Sequence, residues 1–335
     1  MKAVRIHGPR DVRLDEISEP QIGPHDVLVR VKVSGICGTD LTYITVGGVS
    51  EPAKQPFGLG HELAGVVERV GTEVKGVALG TRVVVNPMGD GNGIGNGVPE
   101  GAFAPLLLVR NATIGGSLLP MPDGMNFERG ALVEPLSVGL HAVNRVDPGR
   151  NDKIAVFGAG PIGLGVVMCL KRRGVASVVV IDMSDARLER ARKLGADVTL
   201  NPARDNVAAE LGRLHGTGSL FGWPVVGTDL YIEVSGAAPV IPQVVGMARQ
   251  HAKLMVVAVH HEPVPVNFQM ALGKELTIQT SCGYPDEFPA AMEMLAQPDF
   301  DIAPLVSHRF TLDEFSTALE TARDKDRAAK VLITF

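Results

Sequence analysis

Cysteine is scarce in this sequence: Cys37, Cys169 and Cys282 are the only three in 335 residues. So few and so scattered, they cannot build a disulfide framework, and a reducing, cytoplasmic setting is the default expectation. Positive charge is not in excess either. With 32 basic against 37 acidic residues the net charge is −5, and without a basic stripe nucleic acid is not an expected partner. No run of about 18 apolar residues occurs, because charges or glycines interrupt every candidate, so no membrane-spanning helix is expected. The opening stretch MKAVRIHGPRDVRLDE has no apolar core of the kind an export signal needs. What is present is enough chain for two domains, 45% hydrophobic and 21% charged, the balance of a soluble globular protein.

The first 147 residues read as short β-like runs between glycine and proline turns. DVLVRVKVSG (26–35) alternates with period two, and TRVVVNP (81–87) is a second strand. NPMGDGNGIGNGVPEG (86–101) holds six glycines in sixteen residues, the composition of a mobile surface loop. From Lys153 the texture changes. KIAVFG, ASVVVID, DVTLN, TDLYIEV, KLMVVAV and ELTIQT are apolar runs separated by stretches long enough for helices. That pattern predicts an α/β protein with a six-stranded, doubly wound parallel sheet. Beyond Pro285, EFPAAMEMLA and TLDEFSTALETARD are helical in pattern, and AKVLITF closes as a strand. Domains are therefore expected at 1–147 and 148–285, with 286–335 returning to the first.

VFGAGPIG places Gly158, Gly160 and Gly163 directly after a strand, with Pro161 and Ile162 opening the helix that follows. Gly158 suits the tight turn, Gly160 lets a pyrophosphate approach the backbone, and Gly163 lets helix and strand pack closely. Asp182 ends the next strand nineteen residues beyond Gly163, where a carboxylate accepts from both ribose hydroxyls and repels a 2′-phosphate. NAD is thus expected over NADP. Arg187 could pack over the adenine, bond the ribose, or simply be a solvated helix charge.

Three other segments each bring a potential metal ligand beside small residues: Cys37 in VSGICGTD, His61 and Glu62 in GHELAGVVERVG, and Glu134 in ALVEPLSVG. Taken singly, each has an ordinary reading as a buried cysteine or a bonded structural residue. Together with VFGAGPIG, the Asp182 strand and ARKLGAD, in that order, they resemble the zinc-dependent medium-chain alcohol dehydrogenase family. A glutamate at 134 resembles its sorbitol and butanediol dehydrogenase branch.

The resemblance implies a GroES-like, mostly-β catalytic domain joined to a Rossmann NAD domain, with the metal at the bottom of the cleft between them. It implies one catalytic Zn²⁺ held by Cys37, His61 and Glu134, with Glu62 an alternative or water-bridged ligand. Asp40 would orient His61. Thr39 would bond the substrate oxygen and start its proton outward, with a simple turn hydroxyl as the alternative. The implied reaction is hydride transfer between NAD(H) and a secondary alcohol, vicinal diol or polyol and the matching ketone. A homodimer or homotetramer, associating through the edge strand TIQTS, is implied by the same likeness.

Three departures qualify it. Thr42 stands where some relatives carry a relay histidine, so the last proton step must run through water or Glu62. Gly283 precedes Tyr284 where sorbitol-type members have an arginine, which brings SCGYPDEF closer to butanediol dehydrogenases. No cysteine lies between Cys37 and Cys169, so no structural zinc is expected, and the glycine-rich 86–101 segment takes that place. Pocket walls are expected from Tyr43, Phe103 and Tyr284. The competing readings are a zinc-free NADPH quinone or enoyl reductase and a non-catalytic dinucleotide-binding protein.

Overall fold

Residues 1–284 and 286–335 are described by the computed structural model, and the chain divides into two compact units. The first comprises Met1–Glu134, Phe288–Asp324 and Ala328–Phe335; the second comprises Pro135–Glu287 and Lys325–Arg327. The sequence placed the changes at 147 and 285. The division at Glu134 instead falls within the first turn of the helix Val133–Val146.

The first unit is organised by the strand Val27–Ile36. Val27, Val29 and Val31 are buried on one side of it and form a core with Leu63, Val67, Val83 and Val85. The β-branched side chains of that strand suit a pleated, packed surface. It pairs antiparallel with Glu62–Val70 and with the C-terminal strand Lys330–Thr334. The register sets Gly35 opposite Glu62 and Ile36 opposite Val331. Residues almost a whole chain apart in sequence therefore meet beside one strand. The strand Val306–Thr311, which the sequence pattern did not disclose, runs parallel to Lys330–Thr334 at the sheet's edge.

The glycine-rich segment does not lie on the surface throughout. Ile94 is fully buried, and a Cβ on Gly95 (φ +70°) would stand 2.3 Å from the Gly60 carbonyl oxygen, so backbone packs on backbone there. The segment is fastened at Asp90, which has φ +53°, a conformation that aspartate tolerates. Its carboxylate accepts hydrogen bonds from the N–H and hydroxyl of Thr113 and the N–H and hydroxyl of Ser117, at 2.6–2.9 Å.

In the second unit the strands run in the order Val198–Leu200, Ser177–Ile181, Lys153–Phe157, Leu230–Glu233, Lys253–Val256 and Thr277–Thr280. All neighbours are parallel. These are the six runs read from the sequence, and their order is that of a Rossmann sheet. It reverses between Lys153–Phe157 and Leu230–Glu233, so ligands are expected at the carboxyl ends of those strands. A hairpin, Thr217–Leu220 with Trp223–Val226, stands outside this sheet and had no separate signal in the sequence. Among the described residues no helix is long and apolar enough to cross a membrane.

Partial burial works against the Asp90 charge, but the hydrogen bonds from Ser117 and Thr113 outweigh it and hold the carboxyl below its ordinary pKa. Such a group stabilises the fold fully above its unfolded pKa, and the contribution disappears as pH falls through the folded value. Asp90→Asn keeps the backbone conformation and loses the charge. It is expected to cost about 1 kcal/mol at pH 7, given the residue's exposure. Melting curves should show a gap to the wild type that is constant from neutral pH down to about pH 5 and closes in stronger acid. A gap independent of pH would contradict the assignment.

Candidate metal and dinucleotide sites

Cys37 ends the strand Val27–Ile36 and caps the helix Gly38–Val46. Its Sγ accepts from the Thr39 N–H at 3.5 Å, and its own N–H donates to Asp40 Oδ2 at 2.9 Å, a reciprocal box in which cysteine takes the usual serine's place. Asp40 is fully buried, and its other oxygen accepts from the Gly60 N–H at 3.2 Å. It thereby ties the cysteine turn to the residue before His61. Asp40 Oδ1 also lies 3.6 Å from His61 Nδ1, beyond hydrogen-bond range, and Nδ1 has no hydrogen-bond partner although it is buried.

Ligand atoms of Cys37, His61 and Glu62 lie within 4.8 Å of one another, with the histidine and glutamate buried and the cysteine half-buried. Donors of a tetrahedral zinc stand about 3.4 Å apart, so the cluster is of the size, and the thiol–imidazole–carboxylate set of the kind, that such an ion takes. Burial opposes a charge on His61, but Asp40 and Cys37, with a smaller contribution from Glu134, outweigh it and raise its pKa well above normal. Negative groups outnumber positive ones here, which suits a divalent cation. Glu134, buried in the first turn of Val133–Val146, bears on this place electrostatically without joining the close cluster.

Lys330 was not anticipated. Its side chain is almost fully buried, with Nζ 2.5 and 2.7 Å from the two oxygens of Glu62 and 3.1 Å from the Ile36 carbonyl. Burial disfavours its charge, yet Glu62 and then Cys37 reverse that and raise its pKa. Gly35 makes room for the pair, since a Cβ there would fall 2.0 Å from Glu62 Oε2. Thr39 is half-buried beside Cys37. The Thr42 hydroxyl bonds back to the Gly38 carbonyl at 3.3 Å. Phe103, expected as a pocket wall, is a core residue: it is 1% exposed, lies under Gly60 and packs on Phe315 at 5.0 Å. Tyr43 and Tyr284 are half-buried. Of the other cysteines, Cys282 is exposed, and burial pushes the Cys169 thiol up to about 12.

In the second unit Gly158 has φ +108°, and a Cβ there would meet the Ser235 N–H at 2.9 Å. A Cβ on Gly163 would lie 2.0 Å from the Gly158 carbonyl oxygen. The fold itself demands both glycines. At Gly160 the nearest atom to a Cβ would be Arg187 Nη1 at 3.6 Å, an ordinary contact, so packing does not explain this glycine. Gly160 caps the helix Pro161–Arg172, with Pro161 at its first position and Ile162 next. Asp182 accepts from the Ala159 N–H at 2.7 Å and the Ser184 N–H at 2.8 Å. It holds the glycine-rich turn and retains lone pairs for a further donor.

Removing Lys330 should leave Glu62 buried and unpaired. Lys330→Met is expected to destabilise the metal-free protein by about 3 kcal/mol, and bound Zn²⁺ should recover part of that loss by compensating the carboxylate. The stabilisation by zinc, read as the melting shift between chelated and zinc-loaded protein, should therefore be larger in the variant. An equal or smaller shift would refute the coupling.

Residues 161–297 match the family described as zinc-binding dehydrogenase, and residues 23–123 match the alcohol dehydrogenase GroES-like domain. The chain is 33% identical to the sorbitol dehydrogenase of Rattus norvegicus over 350 residues, covering 98% of this chain and 94% of that protein. Among solved structures, 2R,3R-butanediol dehydrogenase from Bacillus subtilis superposes with a TM-score of 0.89 at 30% identity, over 100% of this chain and 99% of that one. A short chain alcohol dehydrogenase from E. coli, complexed with NADH, gives 0.88 at 27% identity, again over 100% and 99%. With this likeness across its whole length, the chain belongs to the zinc-dependent medium-chain alcohol and polyol dehydrogenases and is an oxidoreductase.

Proposed function

We propose that the protein transfers a hydride between NAD(H) and a secondary alcohol bearing a neighbouring hydroxyl, forming or consuming the matching ketone, at one zinc ion held by Cys37, His61 and Glu62. The observation that carries this reading is the convergence of those three side chains, two of them buried and the third half-buried. Bound there, Zn²⁺ supplies a Lewis acid that makes an alcohol hydroxyl acidic at neutral pH. Asp40 fixes the loop that carries His61, and Lys330 holds the Glu62 carboxylate in place through both of its oxygens. The Thr39 hydroxyl, at the start of the helix beside Cys37, accepts a hydrogen bond from the substrate hydroxyl and releases its own proton as it receives that one. Thr42, bonded to its own helix, passes nothing onward, so the proton leaves through water. The other cysteines, one deeply buried and one exposed, are not grouped for a structural zinc.

On the dinucleotide side, the free N–H groups opening Pro161–Arg172 receive the pyrophosphate. Asp182 accepts from the adenosine ribose and repels a 2′-phosphate, and Arg187, beside Gly160, closes over this end. Two copies pair through the edge strand Thr277–Thr280, whose outer side meets no strand among the described residues. The paucity of cysteine fits a reducing, cytoplasmic setting.

The test is NADH formation from NAD with a panel of simple secondary alcohols, 2,3-butanediol, triols and longer polyols. Turnover should concentrate on vicinal diols, stop on chelation and return with Zn²⁺. Asp182→Ala should bring NADP within about tenfold of NAD, and Glu62→Gln should lower zinc content more than Glu134→Gln does. A zinc-loaded protein inert across the panel would overturn the activity; NAD binding without zinc retention would favour a non-catalytic role.

A further inference from the structure

The helix Gly38–Val46 carries residues four apart on one face, so Tyr43 stands one turn beyond Thr39, on the side assigned to the substrate oxygen. Tyr43 is half-buried, its ring edge-on to Phe57 at 6.4 Å. Burial first, then the nearby Asp40 and Cys37, raise its pKa, and the phenol stays protonated. That proton is committed, because Tyr43 Oη donates to Asn96 Oδ1 at 3.1 Å. The direction follows from the rest of the amide. Asn96 Nδ2 donates to the Ile94 carbonyl at 2.9 Å, which turns the amide oxygen toward the tyrosine. With its one hydrogen used, Tyr43 has only lone pairs left to offer.

Asn96 is itself held firmly. It follows Gly95, whose N–H donates to the Glu100 carbonyl at 2.9 Å and whose Cα lies against Gly60, the residue before His61. Ile94 on the other side is fully buried. The glycine-rich segment thus delivers one side-chain oxygen to one phenol on the helix that also bears Thr39.

We infer that Asn96 is a positioning residue which, by binding the Tyr43 hydroxyl proton, presents the phenol oxygen as an acceptor and makes the site select alcohols with a second, adjacent hydroxyl donor. This rests on the dehydrogenase reading and assigns its preference for a neighbouring hydroxyl to a particular pair of residues. A substrate hydroxyl next to the reacting carbon donates to Tyr43, whereas a methylene there leaves a half-buried acceptor unpaired. A site built to bond a hydroxyl discriminates against analogues that lack it.

The experiment uses the zinc-loaded, full-length protein with NAD, comparing 2,3-butanediol with 2-butanol in the wild type, Asn96→Ala, Tyr43→Phe and the double variant. The wild type should favour the diol in kcat/KM. In each single variant the diol-to-monoalcohol ratio should fall about tenfold, the size of one hydrogen bond, chiefly through KM for the diol. Zinc content should be unchanged. The double variant should be no worse than either single one, since both remove the same bond. The thermal shift produced by 2,3-butanediol should shrink in step. Equal losses on both alcohols, additive effects in the double variant, or a wild type without diol preference would each overturn the inference while leaving the dehydrogenase activity standing. No turnover of either alcohol by the zinc-loaded wild type would overturn both. Should Asn96→Ala fail to fold, Tyr43→Phe alone decides between these outcomes.

Discussion

The buried ion pair between Glu62 and Lys330 is the constraint on which the first unit is arranged. Two charges withdrawn from water are costly unless the pairing geometry is good and remaining bonds are made. Both conditions are met. Lys330 reaches both carboxylate oxygens and the Ile36 carbonyl. The pair stands where Glu62–Val70 and Lys330–Thr334 both lie against Val27–Ile36. Shifting either register by one residue would turn a charged group out of its partner's reach and into the apolar layer. The pair therefore penalises a slipped register, and the register sets where Cys37 and His61 sit, since Cys37 follows one of these strands and His61 precedes another.

The consequence for chemistry is a small buried region with an excess of acidic groups. Cys37, Asp40, Glu62 and Glu134 surround a single lysine and a histidine, and the field they create shows in the raised pKa values of His61 and Lys330. Metal binding relieves that imbalance. Around it, Asp40 links the cysteine turn to Gly60, and Gly60 in turn is covered by Gly95 and underlain by Phe103. The candidate metal ligands are thus set by strand register below and by backbone packing above, with little freedom left to the side chains. That is what a site needs if it is to stay in place while substrate and product exchange.

What could be read from the sequence was whatever is local. VFGAGPIG, Asp182 nineteen residues on, and the six apolar runs carry their meaning within a few turns of chain, and the sheet in the structure follows them. Cys37, His61 and Glu62 were legible as candidate ligands because the segments around them are distinctive. Lys330 was not, because a lysine opening AKVLITF looks like any strand-end charge; its partner is 268 residues away. The hydrogen bond from Tyr43 to Asn96 was invisible for the same reason. The close packing at Ile94 and Gly95 within the glycine-rich segment was not legible, because composition records flexibility of the chain, not the close backbone packing that glycine also permits. The strand Val306–Thr311 and the hairpin after the helix Val207–His215 were missed because short edge elements leave little periodicity.

A thiolate, an imidazole and a carboxylate are expected to meet on one metal ion, and cobalt(II) in place of zinc reports on that most directly. The protein should bind one equivalent of cobalt with the strong visible absorption of a four-coordinate site and a thiolate-to-cobalt charge-transfer band. Cys37→Ser should abolish that band, while Cys169→Ser and Cys282→Ser should keep it. A band that survives Cys37→Ser, or a cobalt spectrum with no thiolate contribution, would contradict the site described here.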